Sequence, residues 1–178
     1  MQFNFKKAFS VIAPLVVLSL LLVFPELSEL IENYSYTQIL GTADEQGFEQ
    51  VLVKRVVDGD TIELSDGRKL RYIGIDTPET KHPSKGVECF GKEASEYNKN
   101  LVENKIISIE KDISETDRYA RLLRYVWLDD EMINKKLVEE GYAHASSYPP
   151  DIKYQDELRE AERKARENNL GLWSKCQE

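Results

Sequence analysis

Three short runs of this 178-residue chain hold the side chains that could do chemistry together. They are Asp58-Gly59-Asp60-Thr61, the stretch from Arg71 through Asp76-Thr77-Pro78-Glu79 to Thr80, and Asp117-Arg118-Tyr119-Ala120-Arg121. The runs supply three hard-oxygen carboxylates, Asp60, Asp76 and Glu79, and two guanidiniums, Arg71 and Arg121. Carboxylates of this kind hold a hard cation such as calcium, and a guanidinium matches two phosphate oxygens at once. Together these are the parts of a metal-dependent phosphodiesterase. Taken singly, each run has a plainer reading. Asp58-Gly59 is a tight turn, Thr77-Pro78 an extended step into a turn, Arg71 a solvated strand residue, and Arg118 and Arg121 surface charge. Jointly the plain readings fail, because each run contributes what the others lack. The two histidines, His82 and His144, and the two cysteines, Cys89 and Cys176, have no zinc-ligand spacing. Nothing around Cys89 supports a nucleophilic Cys–His pair.

The elements that must position these residues are short strands between strong turn signals. Strands are predicted over 51–57 and 61–64, joined by Asp58-Gly59, then over 69–75 after Asp66-Gly67. Within 69–75, Leu70, Tyr72 and Gly74 alternate against Arg71, Ile73 and Ile75. Two more strands are expected over 106–111 and 123–128. Helices are predicted over 92–103, with Ala94, Tyr97 and Leu101 on one face, over 133–140, stopping at Gly141, and over 155–168, with Leu158, Ala161 and Ala165 inward. On the outer face of the last, Glu160 and Glu162 stand four residues before Lys164 and Arg166. The fold class expected is α+β and mainly β: an OB-fold, five-stranded barrel with three packed helices, preceded by one N-terminal apolar helix.

That apolar helix belongs to a leader over 1–32. Lys6 and Lys7 precede an apolar run over 8–24, and Pro25, Glu26, Glu29 and Glu32 come after it, which is the order of an export signal. At ~1.5 Å per residue the run spans roughly 25 Å, short of the ~30 Å hydrocarbon core, with Leu27, Leu30 and Ile31 available to extend it. An uncleaved anchor and a cleaved signal peptide both fit. The basic residues ahead of the run place the remainder of the chain outside the cell, either tethered to the membrane or secreted. Residues 33–50 read as a linker, and 51–178 as the catalytic domain. The net charge of −8 argues against a broad basic face that binds nucleic acid unspecifically. A bound divalent cation would offset part of it.

From Val51 to Trp173 the chain resembles the staphylococcal nuclease (thermonuclease) family. The resemblance lies in the three runs above, in the continuation from Lys81 to Glu88, in Gly91-Lys92-Glu93-Ala94-Ser95 and in the closing Gly171-Leu172-Trp173. It implies an OB-fold barrel and a calcium-dependent endo- or exonuclease that cuts the bond between phosphorus and the 5′ oxygen of DNA or RNA, leaving 3′-phosphates. It implies that Asp60, Asp76 and the Thr77 carbonyl ligate calcium, that Glu79 acts as general base, and that Arg71 and Arg121 grip the phosphate. Arg118, Tyr119 and Tyr148 would meet the nucleotide. Two departures stand out: Ala120 replaces the glycine usual in the third run, and serine stands near the second tyrosine of the family, leaving Tyr148 as the nearest candidate. The resemblance also brings the closing segment against the body of the domain, so that Cys89 and Cys176 could pair, as an exported protein favours. A monomer with no protein partner is expected. The competing reading is a catalytically silent OB-type module that binds nucleic acid or scaffolds other proteins. It has no need to keep Asp60, Arg71, Asp76, Glu79 and Arg121 together, and all five are present. A barrel that binds sugar or a protein partner leaves the acid–arginine set unexplained.

Overall fold

The computed structural model describes residues 48–80 and 86–176. The expected leader over 1–32, most of the expected linker over 33–50, and residues 81–85 with His82 lie outside these. The first strand begins at Phe48, so the last three residues assigned to the linker are strand. Among the described residues no helix is long and apolar enough to cross a membrane.

Five strands close a barrel. β1 (Phe48–Asp58) pairs antiparallel with β2 (Thr61–Leu64) on one side and with β5 (Ile106–Glu110) on the other. One strand serves both flanks because its register shifts between Val53 and Arg55 and again between Val56 and Asp58, and such bulges bend a strand. β3 (Lys69–Tyr72) follows β2, and β6 (Leu122–Leu128) follows β5. The parallel pairing of β3 with β6, Arg71 opposite Leu123, shuts the ring. Val53, Ile62, Leu64, Leu70 and Tyr72 fill it, none more than 1 % exposed. This is the mainly-β, five-stranded OB barrel expected, with its order β1-β2-β3-β6-β5.

Three helices pack on it: α1 (Gly91–Val102), α2 (Ile133–Glu139) and α3 (Gln155–Glu167). Short pieces complete the domain: β4 (Ile75–Asp76), β7 (Glu131–Met132), β8 (His144–Ala145) and α4 (Leu172–Lys175).

Two details differ from the sequence reading. The third strand does not run through 69–75. It leaves the ladder after Tyr72, and β4 pairs instead with β8, Asp76 opposite His144. Gly74 makes this break, with φ 78° and a backbone so close to α3 that a Cβ there would stand 2.4 Å from a Leu158 methyl. The inner face of α1 is also rotated. Ala94, Asn98 and Val102 are buried, while Tyr97 and Leu101 are only partly so. Asn98, though polar, is buried, and its Oδ1 accepts a 3.1 Å hydrogen bond from the Tyr72 hydroxyl inside the barrel.

Candidate active site

The turn between β1 and β2 delivers Asp60 into the barrel wall, 2 % exposed. A carboxylate so buried needs every lone pair answered. Its Oδ2 accepts hydrogen bonds from the Thr77 amide and hydroxyl, both at 2.9 Å, and its Oδ1 accepts one from the Thr61 hydroxyl at 3.2 Å. Oδ1 also pairs with Arg71 Nη1. Arg71 stands on β3 directly across from Thr61, at the seam where the barrel closes. Its other arm, Nη2, reaches Asp76 Oδ1 at 2.7 Å. One guanidinium thus bridges Asp60 and Asp76, the first buried and the second half-exposed.

Arg121 arrives from the far side, at the end of the 117–121 turn. Asp117 organises that turn: its Oδ1 accepts from the Tyr119 amide at 2.8 Å and the Arg121 amide at 3.0 Å, and its Oδ2 accepts from Arg121 Nε at 2.7 Å. Burial alone would raise the Asp117 carboxyl, but the hydrogen bonds from Arg121 and Tyr119 outweigh it and hold the group below the usual carboxylate range. Arg121 Nη1 donates to the Thr61 hydroxyl at 3.4 Å, so Thr61 links the arginine to Asp60. Ala120, between them, has φ 59°, the left-handed conformation that its replacement of glycine put in question.

Arg71, Arg118, Tyr119, Arg121 and Tyr148 line one cleft of about 530 Å³. Both tyrosines are exposed, 64 % and 57 %, so each presents ring surface to the cleft. The Arg118 and Arg121 guanidiniums lie 4.8 and 5.5 Å from the Tyr119 ring centre. Of the predicted residues, Arg71 joins the cleft to the Asp60–Asp76–Thr77 corner. Glu79 is exposed, and among the described residues its carboxylate makes no hydrogen bond or ion pair. Cys89 and Cys176 are bonded, with an S–S distance of 2.09 Å and Cα atoms 5.8 Å apart.

Sequence reasoning missed three contributors: Asp58, Thr61 and Asp117. In sequence, Asp58 reads as a turn residue. It is half-buried, its Oδ1 accepts from the Asp60 amide at 3.3 Å, and burial raises its carboxyl against the pull of Arg71, a Thr61 hydrogen bond and Arg121. The signal was its place two residues before Asp60. Asp117 was legible as an acid able to bond amides two and four residues on.

The donors at this corner are all oxygen, which suits a hard divalent cation. Among the described residues no three His, Cys, Asp or Glu side chains form a metal-ligand group. A cation here would therefore rest on Asp60, Asp76, backbone and water, with Asp58 adding negative charge nearby.

A family model described as staphylococcal nuclease homologue matches residues 69–175. A thermonuclease of Staphylococcus hyicus is 44% identical over 138 residues, covering 76% of this chain and 80% of that protein. A thermonuclease of Staphylococcus intermedius is 45% identical over 130 residues, 71% of this chain and 77% of its own. Endonuclease YncB of Bacillus subtilis is 41% identical over 130 residues, 70% of this chain and 62% of its own.

Proposed function

The chain belongs to the staphylococcal nuclease family, and we propose that it hydrolyses phosphodiester bonds of DNA, RNA or both with calcium as its cofactor. One observation carries the reading: Arg71 bridges Asp60 and Asp76 at the wall of the cleft that Arg121, Tyr119 and Tyr148 also line. A structural ion pair has no reason to sit at the mouth of a cleft beside a second oriented guanidinium and two exposed tyrosines.

Asp60, Asp76 and the Thr77 carbonyl would hold the cation. When bound, it polarises a phosphoryl oxygen and makes water a better nucleophile. The Thr77 amide and hydroxyl fix the Asp60 carboxylate, which keeps that ligand preorganised. Glu79 orients the attacking water and takes its proton. Arg71 and Arg121 hold non-bridging phosphate oxygens, and their grip strengthens as charge gathers on five-coordinate phosphorus. Asp117 keeps Arg121 pointed for this role, and Arg118 with Tyr119 and Tyr148 receives sugar and base. Breaking the bond to the 5′ oxygen leaves a 3′-phosphate, by either internal or terminal attack. The chain over 51–178 carries this activity, and the leader and linker place it outside the cell.

Purified chain incubated with single- and double-stranded DNA and with RNA, in calcium or in excess chelator, tests the reading. Hydrolysis with calcium and none with chelator is expected. Full hydrolysis in chelator contradicts it.

A further inference from the structure

We propose that Glu88 and the Cys89–Cys176 disulfide act as a clamp that positions Glu79, so that turnover depends on the oxidation state of the two sulfurs. The clamp rests on the reading of Glu79 as the group that activates water. Glu79 has no side-chain partner among the described residues, and within them its backbone is what aims it. One residue holds that backbone from both sides. The Glu88 amide donates to the Glu79 carbonyl at 2.9 Å, and Glu88 Oε2 accepts from the Glu79 amide at 3.0 Å. Behind this pair α1 begins at Gly91, so close that a Cβ there would stand 2.8 Å from the Glu79 carbonyl oxygen and 2.9 Å from that of Pro78. The segment 88–91 is therefore the wall against which the catalytic loop rests.

Cys89 lies inside that wall. Its neighbour Phe90 adopts φ 67°, an unfavoured conformation for a residue with a side chain, and caps α1 without a side-chain hydrogen bond. Neighbours, not local preference, must hold it there: the Tyr142 ring stacked at 5.3 Å and the disulfide. The other sulfur is well anchored. α4 docks through buried Leu172, whose amide donates to the Gly141 carbonyl at 2.9 Å, and the Trp173 ring meets His144 edge-on at 4.8 Å. His144 is the β8 partner of Asp76. The disulfide thus ties the wall behind Glu79 to the same support that seats β4.

Cys89 is exposed, so a small dithiol can reach the bond. Its thiolate attacks one sulfur and breaks the S–S bond; its second thiol then displaces the mixed disulfide. The protein gains two electrons and two protons as two thiols, and the reductant becomes a cyclic disulfide. Arg71, Arg121 and Tyr119 keep their seats on β3 and the 117–121 turn, so substrate binding survives while Glu79 loses its aim.

The test compares the full chain oxidised, the same chain reduced with dithiothreitol, and the Cys89→Ser/Cys176→Ser variant, at a temperature where circular dichroism finds all three folded. Expected is a kcat about ten-fold lower on losing the bond with KM little changed, since misplacing a catalytic group by ~1 Å can cost about 100-fold. The Glu79 and Glu88 amides should exchange hydrogen faster while β2 amides do not. Glu88→Ala, with the disulfide intact, should lower kcat likewise, and Glu88→Gln, which keeps an acceptor, should restore most of it. Unchanged kcat and amide exchange on reduction, or an inert Glu88→Ala, overturns the clamp. Glu79→Gln separates this from failure of the underlying reading: full turnover in that variant removes Glu79 itself from the mechanism.

Discussion

Arg71 meets Asp60 and Asp76 through one planar group, and an ammonium on a flexible stem cannot make both contacts in that geometry. Arg71→Lys should therefore lower turnover by about 100-fold or more, the scale seen when one preorganised oxyanion donor is removed. Asp117 acts one step back, through the orientation of Arg121, and its pH signature stems from its lowered carboxyl. A depressed folded value means the stabilisation is present above the unfolded value of about 3.9 and is lost as pH falls through the folded one. Urea unfolding should find Asp117→Asn less stable than the parent at pH 7, with the gap closing below about pH 4. An equal gap at pH 7 and pH 3 would remove the ion pair as its cause. Ala120 carries a different cost. Its left-handed φ of 59° is unfavourable for any residue with a Cβ, by about 1–2 kcal/mol, while glycine loses about 0.5–1 kcal/mol more chain entropy on folding. Ala120→Gly should come out up to about 1 kcal/mol more stable in thermal unfolding. A lower melting temperature would show that the turn is held in a way these figures do not describe.

At the scale of elements, what was legible was what is local. Asp58-Gly59 and Asp66-Gly67 set the hairpins of β1, β2 and β3, and Gly141 ended the run after α2, because turn and stop residues act on their own backbone. The candidate site residues stood out in the sequence for the same reason: they cluster in three runs at strand ends and turns. Long-range pairings were not. β4 pairs with β8 some seventy residues on, and the close approach of α3 that makes Gly74 break the third strand is a tertiary fact. Asp58 does not stand out because a turn residue and a half-buried carboxylate look alike in sequence, nor does Asn98 because a buried polar residue is identified only by its partner. That partner gives a test. Asn98→Ala leaves the Tyr72 hydroxyl, 1 % exposed, with its acceptor removed, and should destabilise the domain by about 1–3 kcal/mol in denaturant unfolding. A neutral result would mean another acceptor serves Tyr72.

The whole molecule carries a net charge of −8, yet the proposed substrate is a polyanion. Attraction must then be local, from the guanidiniums of Arg71, Arg118 and Arg121 and from the cation proposed for the Asp60 corner. Calcium binding should raise the melting temperature independently of any substrate. At 100 times its Kd a ligand adds about 2.7 kcal/mol to folding, and magnesium, with its stricter octahedron and reluctant dehydration, should add less at equal concentration. No shift with calcium would exclude the site. The disulfide closes a loop of 87 residues and should contribute on the order of 4 kcal/mol by the chain-entropy model. Every part of the proposed mechanism nevertheless converges on what two oriented guanidiniums would do to a phosphate in the transition state. The most direct measurement is the turnover of Arg121→Lys on single-stranded DNA with calcium, beside circular dichroism of the same sample. Expected are an intact fold, a substrate KM within a few-fold of the parent and a kcat lower by about 100-fold, the loss of one oxyanion donor. Near-normal turnover in the folded variant would contradict the role of Arg121 and the mechanism with it.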